Sequence, residues 1–227
     1  MISLQVNKLK RSYKIILLSY IGMLLLLQPG TIITYQVLQW FGLKETHSLQ
    51  IAALSIWYSL CFFGTLFISL YYLKDELRQS SRQNFSWIKI IRWSIAGVFL
   101  ALSAQTIAIE IELFFGSEVG SENTETILAL IKQAPVFFFV TAIIGPILEE
   151  TVFRKIIFGT LNQKYNFHIA AVISSLVFSL AHFEFEHIIL YFAVGFVFAY
   201  LYNKTKRILV PILSHILMNT SVIIFAL

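Results

Sequence analysis

The sequence predicts an all-α fold, a polytopic bundle of about seven transmembrane helices. Of its 227 residues, 58% are hydrophobic and 13% are charged, and the mean hydropathy is +0.78. Soluble domains contain about a quarter charged residues and could not hide this much apolar surface from water. The composition therefore excludes an ordinary water-soluble protein. At roughly 20 residues per span, the chain has room for six to eight helices with short connections.

Seven uninterrupted apolar stretches are the predicted spans. The first continues past Pro29 and Gly30 with no small-residue cleavage site after it, so we interpret it as a kinked, uncleaved span and not as a signal peptide. Glu184 and Glu186 leave almost no loop between the fifth and sixth spans, which must form a tight hairpin. The seven stretches cover residues 13–41, 48–73, 87–115, 134–161, 168–186, 187–203 and 208–226.

The positive charges alternate between connections. Fifteen of the 17 Lys and Arg residues lie within 8–14, 74–92, 154–164 and 204–207, which are alternate connections of the seven-span scheme. The positive-inside rule then places the N-terminus in the cytoplasm and the C-terminus outside. Because the basic residues lie beside apolar spans and not on one amphipathic face, no nucleic-acid partner is expected. The single cysteine, Cys61, excludes a disulfide framework and a cysteine metal cluster.

The fourth span contains the densest group of ionisable residues. An ionisable side chain in hydrocarbon is costly unless it faces a cavity or a partner, so it indicates a functional site. Glu149, Glu150 and Arg154 follow the helix-weakening pair Gly145-Pro146. Glu150 and Arg154 are four residues apart and can pair on one face, whereas Glu149 is rotated by about 100° and can point into a cavity. One fixed and one free carboxylate suit acid/base chemistry; alternatively, the group marks the cytoplasmic end of the span.

Two further spans carry polar residues. His182 follows Phe178 by four residues, and a lone histidine on an apolar helix is more often a packing residue than a catalyst. His215 and Asn219 share a helix face and could converge on one point or form interhelical hydrogen bonds. Counted from the cytoplasmic helix ends, Glu149 and His182 lie at a depth of roughly 22 Å and His215 about 10 Å shallower, unless the last helix begins deeper in the protein.

Other candidates are weaker. Glu110 and Glu112 lie at the outer end of the third span, where we expect them to reach the membrane interface. The sequence has no His-Glu-x-x-His zinc motif, no phosphate-binding glycine loop and no Gly-x-Ser-x-Gly elbow.

Together, the three groups resemble the motifs of the CPBP family. The matching residues are Glu149-Glu150-x-x-x-Arg154, Phe178-x-x-x-His182 and His215-x-x-x-Asn219, in the family's order. This family comprises the type-2 CAAX prenyl proteases and the bacteriocin-processing and self-immunity membrane proteins, also labelled Abi. The resemblance covers about residues 130–225. It divides the chain into N-terminal transmembrane helices of unassigned role (1–130) and a CPBP-like catalytic helical core (131–227).

The resemblance implies an intramembrane endopeptidase whose partners are a peptide or membrane-protein substrate and the lipid bilayer. It implies that Glu149 is the general base that activates water, assisted by His182, and that His215 and Asn219 stabilise the oxyanion. Glu150 and Arg154 are then structural support. Glu149, His182 and His215 could instead bind a divalent metal such as zinc, and the sequence does not choose between these two mechanisms.

The absence of an extra domain resembles the bacterial members, so we expect an integral protein of the bacterial cell membrane that cleaves a small membrane-bound or secreted peptide, in bacteriocin processing or self-immunity. The alternative is a non-catalytic immunity or scaffold protein that binds its partner through outer-loop glutamates such as Glu118, Glu122 and Glu125. A third hypothesis is a small proton-coupled transporter, against which the two halves show no inverted repeat.

Overall fold

The computed structural model describes residues 9–81, 86–117 and 120–227. Lys8, Arg82 and Glu118, which contributed to the charge pattern, lie outside the described residues. Within these ranges the chain is helical and contains no strand, which confirms the predicted all-α class. The helices are α1 (Arg11–Trp40), α2 (His47–Ser81), α3 (Trp87–Phe114), α4 (Glu122–Gln133), α5 (Val136–Lys164), α6 (Phe167–Leu180), α7 (Ile188–Thr205) and α8 (Leu209–Ala226).

Six helices are long and apolar enough to cross a membrane, counting only the part of the chain that the structure describes. They are α1, α2, α3, α5, α8 and the segment Phe185–Thr205 that contains α7. The fifth predicted span, 168–186, is shorter than expected, because α6 ends at Leu180 after 14 residues. At 1.5 Å per residue α6 is about 21 Å long, less than the roughly 30 Å of a hydrocarbon core. Phe183 then has a left-handed backbone conformation (φ +58°), with which a right-handed helix cannot continue.

The helix α4 was not predicted as an element, because residues 122–133 contain no long apolar run. Ser121 caps it by accepting a hydrogen bond from the N–H of Thr124, and Glu122 and Glu125 lie in its first turn, where the helix dipole favours negative charge. Its apolar side chains, among them Ile127 and Ile131, pack against the start of α5 and the end of α8. The amphipathic helix α4 therefore covers one end of the bundle.

The helix α5 is the centre of the bundle. In the most apolar 18 residues of α5, 61% of the residues are buried. The corresponding fraction is 11–39% in the other five long helices. Two stretches of α5, Phe139–Ile144 and Glu150–Phe158, are wound as π-helix on either side of the α-helical turn Gly145–Glu149. In a π-helix each backbone hydrogen bond joins residues five positions apart, and such segments frequently occur at functional sites. Both π-segments flank the residues that the sequence singles out.

One close helix contact supports a prediction about stability. A Cβ added at Gly97 of α3 would collide with the side chains of Ser214 on α8 and Leu201 on α7. We expect Gly97→Ala to lower the free energy of unfolding by about 1–3 kcal/mol, as overpacking does in other cores. Gly64→Ala is the matched control, because nothing lies within 4 Å of its added Cβ. Thermal unfolding in detergent measures both variants, and equal stability of the two would contradict this packing.

Candidate active site

The bundle brings the predicted residues of three helices to one cavity. Glu149 from α5, His182 from the turn after α6, and His215 and Asn219 from α8 line a cavity of about 370 Å³. The cavity extends from these side chains in mid-bundle to α4, which contributes Ser121, Asn123, Thr124, Ile127 and Leu130. The helices α1 and α2 contribute part of its apolar wall, through Tyr20, Leu24, Leu27, Tyr58 and Phe62. A water-accessible polar site is thus enclosed by a lipid-facing bundle.

Behind the cavity lies a fully buried ion pair. The Nε atom of Arg154 is 3.2 Å from Oε2 of Glu150, and both side chains are 0% exposed. The guanidinium packs against the rings of Phe178 and Phe198, at 4.3 and 5.5 Å from their centroids. Within the described residues none of its three buried nitrogen atoms has a hydrogen-bond partner. Electrostatic attraction to Glu150 and to the faces of aromatic rings therefore holds Arg154.

His215 lies between the two glutamates. Its Nδ1 is 3.0 Å from Oε1 of Glu150, and its Nε2 is 3.8 Å from Oε2 of Glu149. Its ring stacks on Phe198 with the centroids 4.7 Å apart. The carboxylate of Glu150 is thus fixed by Arg154 on one oxygen and by His215 on the other. Glu149, with its side chain 22% exposed, remains the carboxylate that faces the cavity.

The difference in depth between His215 and Glu149 that was expected from residue counts is absent. The stretch from Glu150 to Phe158 is π-helix, which advances less along its axis per residue than α-helix and so brings Glu149 closer to the end of α5. The last helix also begins inside the protein, since Arg207, Ile208 and Val210 are buried. Both effects bring α8 level with the middle of α5.

His182 is oriented by its own helix. Its Nδ1 lies 2.8 Å from the carbonyl oxygen of Phe178, and because a carbonyl only accepts, Nδ1 carries the proton and donates. The neutral ring therefore presents Nε2 as its basic nitrogen. The ring of Tyr191 stacks on the imidazole at a centroid distance of 3.9 Å and an angle of 25°. His182 is fixed by a backbone hydrogen bond and an aromatic face.

Glu184 connects this pair to α4. Its carboxylate accepts hydrogen bonds from the hydroxyl groups of Tyr191 and Ser121, at 2.6 and 2.8 Å, and from the backbone N–H of Asn123 at 2.6 Å. Burial would raise the pKa of Glu184, but these hydrogen bonds to the ionised form outweigh it and hold the pKa below its ordinary value. The ionised carboxylate therefore ties the start of α4 to the tyrosine that contacts His182.

This lowered pKa predicts an acid-dependent stability. Ionised Glu184 stabilises the fold above the pKa of the unfolded chain, near 4.3, and the contribution disappears as the pH falls through the lower pKa of the folded state. Glu184→Gln should therefore lower the melting temperature at pH 7, and the difference from wild type should vanish on acidification. The control is Glu186→Gln, at an exposed position two residues along. Thermal unfolding from pH 7 to pH 3 measures this, and a pH-independent difference would contradict it.

A second buried polar contact differs from the sequence-based expectation. Glu112, expected at the membrane interface, is 3% exposed. Its carboxylate accepts from the backbone N–H of Leu190 and lies 3.0 Å from Nδ1 of His187, whose Nε2 donates to the carbonyl of Gly120. The contact joins the ends of α3 and α7, and neither Glu112 nor His187 lines the cavity. It was missed because apolar runs do not show which charged residue at a helix end will find a partner.

The three predicted zinc ligands, Glu149, His182 and His215, all line the cavity. Among the described residues, no three His, Cys, Asp or Glu side chains are arranged to hold one metal ion. Nδ1 of His215 is already committed to Glu150 and Nδ1 of His182 to a backbone carbonyl. Zinc binding by Glu149, His182 and His215 stays a prediction.

Residues outside the three motifs complete the cavity. Gln105 of α3 lines it and holds its Oε1 buried without a hydrogen-bond partner in the described structure. The rings of Tyr58 and Phe62 on α2 and of Tyr20 on α1 form its wall. In the sequence these residues belong to ordinary apolar spans, and only the isolated amide of Gln105 could have drawn attention.

Comparison with known proteins agrees with the geometry. A family model described as type II CAAX prenyl endopeptidase Rce1-like matches residues 131–221. A Bacillus subtilis (strain 168) protein named as the membrane peptidase YdiL is 40% identical over an alignment that covers 96% of this chain and 91% of YdiL. The membrane-embedded CAAX protease MroQ of Staphylococcus aureus (strain USA300) is 42% identical over 61% of this chain and 59% of MroQ.

A third relative, the UPF0177 protein YxdF of Lactococcus lactis subsp. lactis (strain IL1403), is 27% identical over 65% of this chain and 80% of YxdF. No solved structure matches the chain significantly. The family model matches the part of the chain that carries Glu149, His182 and His215, and the similarity to YdiL extends over nearly all of it. The chain is therefore an integral membrane protein that belongs to the Rce1-like family of type II CAAX prenyl endopeptidases.

Proposed function

We propose that this protein is an intramembrane endopeptidase that hydrolyses a peptide bond in a membrane-bound or secreted peptide, using water activated by Glu149. The observation that carries the proposal is the convergence of a partly exposed carboxylate, two imidazoles and a carboxamide from α5, the end of α6 and α8 on one cavity. Peptide hydrolysis needs a base, a water molecule and donors directed at the developing negative charge. The four side chains supply the base and the donors, and the cavity has room for the water molecule.

In this mechanism Glu149 takes a proton from the water molecule while the water oxygen attacks the carbonyl carbon of the substrate. His182, whose Nε2 is the basic nitrogen of the neutral ring, accepts a hydrogen bond from the same water and orients it. When the tetrahedral intermediate collapses, the C–N bond breaks and the proton held by Glu149 passes to the leaving amine. Each carboxylate and imidazole then returns to its starting state.

His215 and Asn219 donate hydrogen bonds to the oxyanion. For His215 this requires a proton on Nε2 while its Nδ1 contacts Glu150. Because Glu150 is ionised in its pair with Arg154, His215 then carries a proton on each nitrogen, and the imidazolium donates from Nδ1 to Glu150 and from Nε2 to the oxyanion. The fixed ion pair with Arg154 keeps Glu150, and through it His215, in place.

The shape of the cavity supports an apolar peptide as the substrate. The walls from α1 and α2 are aromatic and aliphatic, so they suit hydrophobic side chains next to the cleaved bond. The α4 end of the cavity is opposite the basic connections, which is the outer side if the N-terminus lies in the cytoplasm of a bacterial cell. Processing of a small exported or membrane-bound peptide, including a bacteriocin in self-immunity, fits this orientation.

The experiment compares protein N- and C-termini in three strains: a deletion strain, the same strain restored with wild type, and the same strain restored with Glu149→Gln at equal membrane abundance. We expect peptide ends that are present only with wild type, which would identify both proteolysis and the substrate. Equal termini, together with a phenotype that both versions rescue equally, would refute the proposal and favour a non-catalytic immunity or scaffold protein.

A further inference from the structure

A second cavity lies at the opposite end of the bundle from α4. It has a volume of about 400 Å³ and lies where α1 begins and where α2 and α7 end, beside α5. We call it the basic groove and define it by Lys10, Glu76, Lys155, Tyr202, Lys206 and Ile208. None of these residues takes part in the proposed peptidase mechanism. The groove is at the ends of apolar spans, which places it at the level of the lipid headgroups.

The charges in the basic groove are unbalanced. Among its described lining residues three lysines face one acid, Glu76, which leaves an excess of two positive charges. The ammonium groups of Lys10 and Lys155 are each 2.9 Å from a different oxygen of Glu76, which also accepts from the hydroxyl group of Tyr13. Glu76 thus orders two lysines without neutralising the groove.

Lys206 provides an independent observation. It follows the end of α7 with φ +54° and ψ +23°, a left-handed conformation that glycine usually provides at this position. A lysine there is strained, and strain of this kind clusters at functional sites. The ammonium group of Lys206 contacts the side-chain oxygen of Asn203 at 2.7 Å and lines the groove. The strained turn therefore adds a third positive charge to the cavity.

Hydrophobic side chains complete the groove. Leu77, Ile208 and the ring of Tyr202 line it beside the lysines. A cavity with a positively charged rim and apolar lining, at headgroup level, matches a phosphate group that is attached to a glycerol backbone and acyl chains. We propose that the basic groove binds the headgroup of an anionic phospholipid from the leaflet that borders this face.

The test uses the purified full-length chain in a neutral detergent, with phosphatidylglycerol, phosphatidylcholine and inorganic phosphate as separate probes. Native mass spectrometry measures bound lipid, and thermal unfolding measures the stabilisation. We expect phosphatidylglycerol to bind and to raise the melting temperature, and phosphatidylcholine and phosphate to do neither at the same concentration. Equal binding of both lipids, or an equal effect of inorganic phosphate, would overturn the proposal.

Variants separate the groove from general surface charge. Lys155→Gln and Lys206→Gly should each weaken phosphatidylglycerol binding about fivefold, which is the effect of one lysine near a charged membrane surface. Lys206→Gly also removes the left-handed strain, so its lipid-free stability should not fall, and weaker binding cannot be ascribed to misfolding. Lys204→Gln removes the same charge at an exposed position outside the groove and should leave binding unchanged. Equal losses for Lys204→Gln and Lys206→Gly would overturn the proposal.

Glu76→Gln distinguishes an anion site from a purely structural ion cluster. If the groove binds an anion, removal of the competing carboxylate frees Lys10 and Lys155 and strengthens phosphatidylglycerol binding. If the lysines serve only to pair with Glu76, the same variant lowers stability and leaves lipid binding unchanged or weaker. Stronger binding of phosphatidylglycerol to Glu76→Gln supports the proposal, and unchanged or weaker binding refutes it.

Discussion

Glu149→Gln is expected to reduce peptide hydrolysis by at least about a hundredfold, since general-base catalysis contributes roughly 10²–10⁴ to the rate. The amide has almost the same shape as the carboxylate but cannot take a proton from water. Glu149 is the carboxylate that faces the cavity, while Glu150 is held by Arg154 and His215. The second carboxylate is therefore not free to replace the first. The measurement is the cleavage rate of the identified peptide by purified protein in proteoliposomes.

The stability of this variant is the necessary control. Glu149 has no ion pair as close as that of Glu150, its nearest charged contact being His215 at 3.8 Å, so Glu149→Gln should insert and unfold like wild type. Glu122→Gln, on the exposed first turn of α4, removes one carboxylate elsewhere and should retain the full rate. Hydrolysis by Glu149→Gln within a factor of a few of wild type would show that Glu149 is not the base.

Arg154→Met is expected to lower the free energy of unfolding by about 3–5 kcal/mol, the usual result of removing one partner of a buried ion pair. Methionine fills most of the volume of the guanidinium side chain but leaves Glu150 buried without its cation. The rings of Phe178 and Phe198 would also lose the cation that they contact. Chemical or thermal unfolding in detergent measures the effect.

The double variant Glu150→Gln/Arg154→Met is the informative comparison, because it removes both charges together. A buried pair that is replaced as a whole often costs little, since the desolvation of two ions is avoided. The double variant should therefore be clearly more stable than Arg154→Met alone. It should still lose activity, because His215 loses its carboxylate partner. If the double variant loses as much stability as Glu150→Gln and Arg154→Met lose in sum, Glu150 and Arg154 are not coupled.

The sequence predicted most of the spans because hydrocarbon requires long, continuous apolar stretches and tolerates few exceptions. The ends of α1, α3, α7 and α8 differ from the predicted bounds by one or two residues. The helices α4 and α6 were less predictable. The helix α4 is amphipathic and lies in a polar stretch, so an apolar-run criterion does not detect it. The helix α6 ends early because the turn at His182–Phe183 interrupts an otherwise apolar sequence.

The sequence indicated which residues form the candidate site better than it indicated the contacts between them. Spacing of four residues indicated the pairing of Glu150 with Arg154, which the structure contains. The spacing did not indicate that His215 contacts Glu150, because contacts between helices depend on where each helix begins and how it is wound. The stacking of Tyr191 on His182 and the anchoring of Tyr191 by Glu184 also depend on the fold of the connection between α6 and α7. Local patterns carry no information about such contacts.

Because the stretch Glu150–Phe158 of α5 is wound as π-helix, the direction in which Glu149 points depends on this winding. A π-turn is equivalent to one extra residue inserted into an α-helix. If every residue between Glu150 and Phe158 were kept but wound as ordinary α-helix, the extra residue would rotate the preceding part of α5 by about 100° relative to the rest. Glu149 would then turn away from His215 even though every motif residue remained. The catalytic arrangement is therefore specified by the π-winding of this segment as well as by its amino acids.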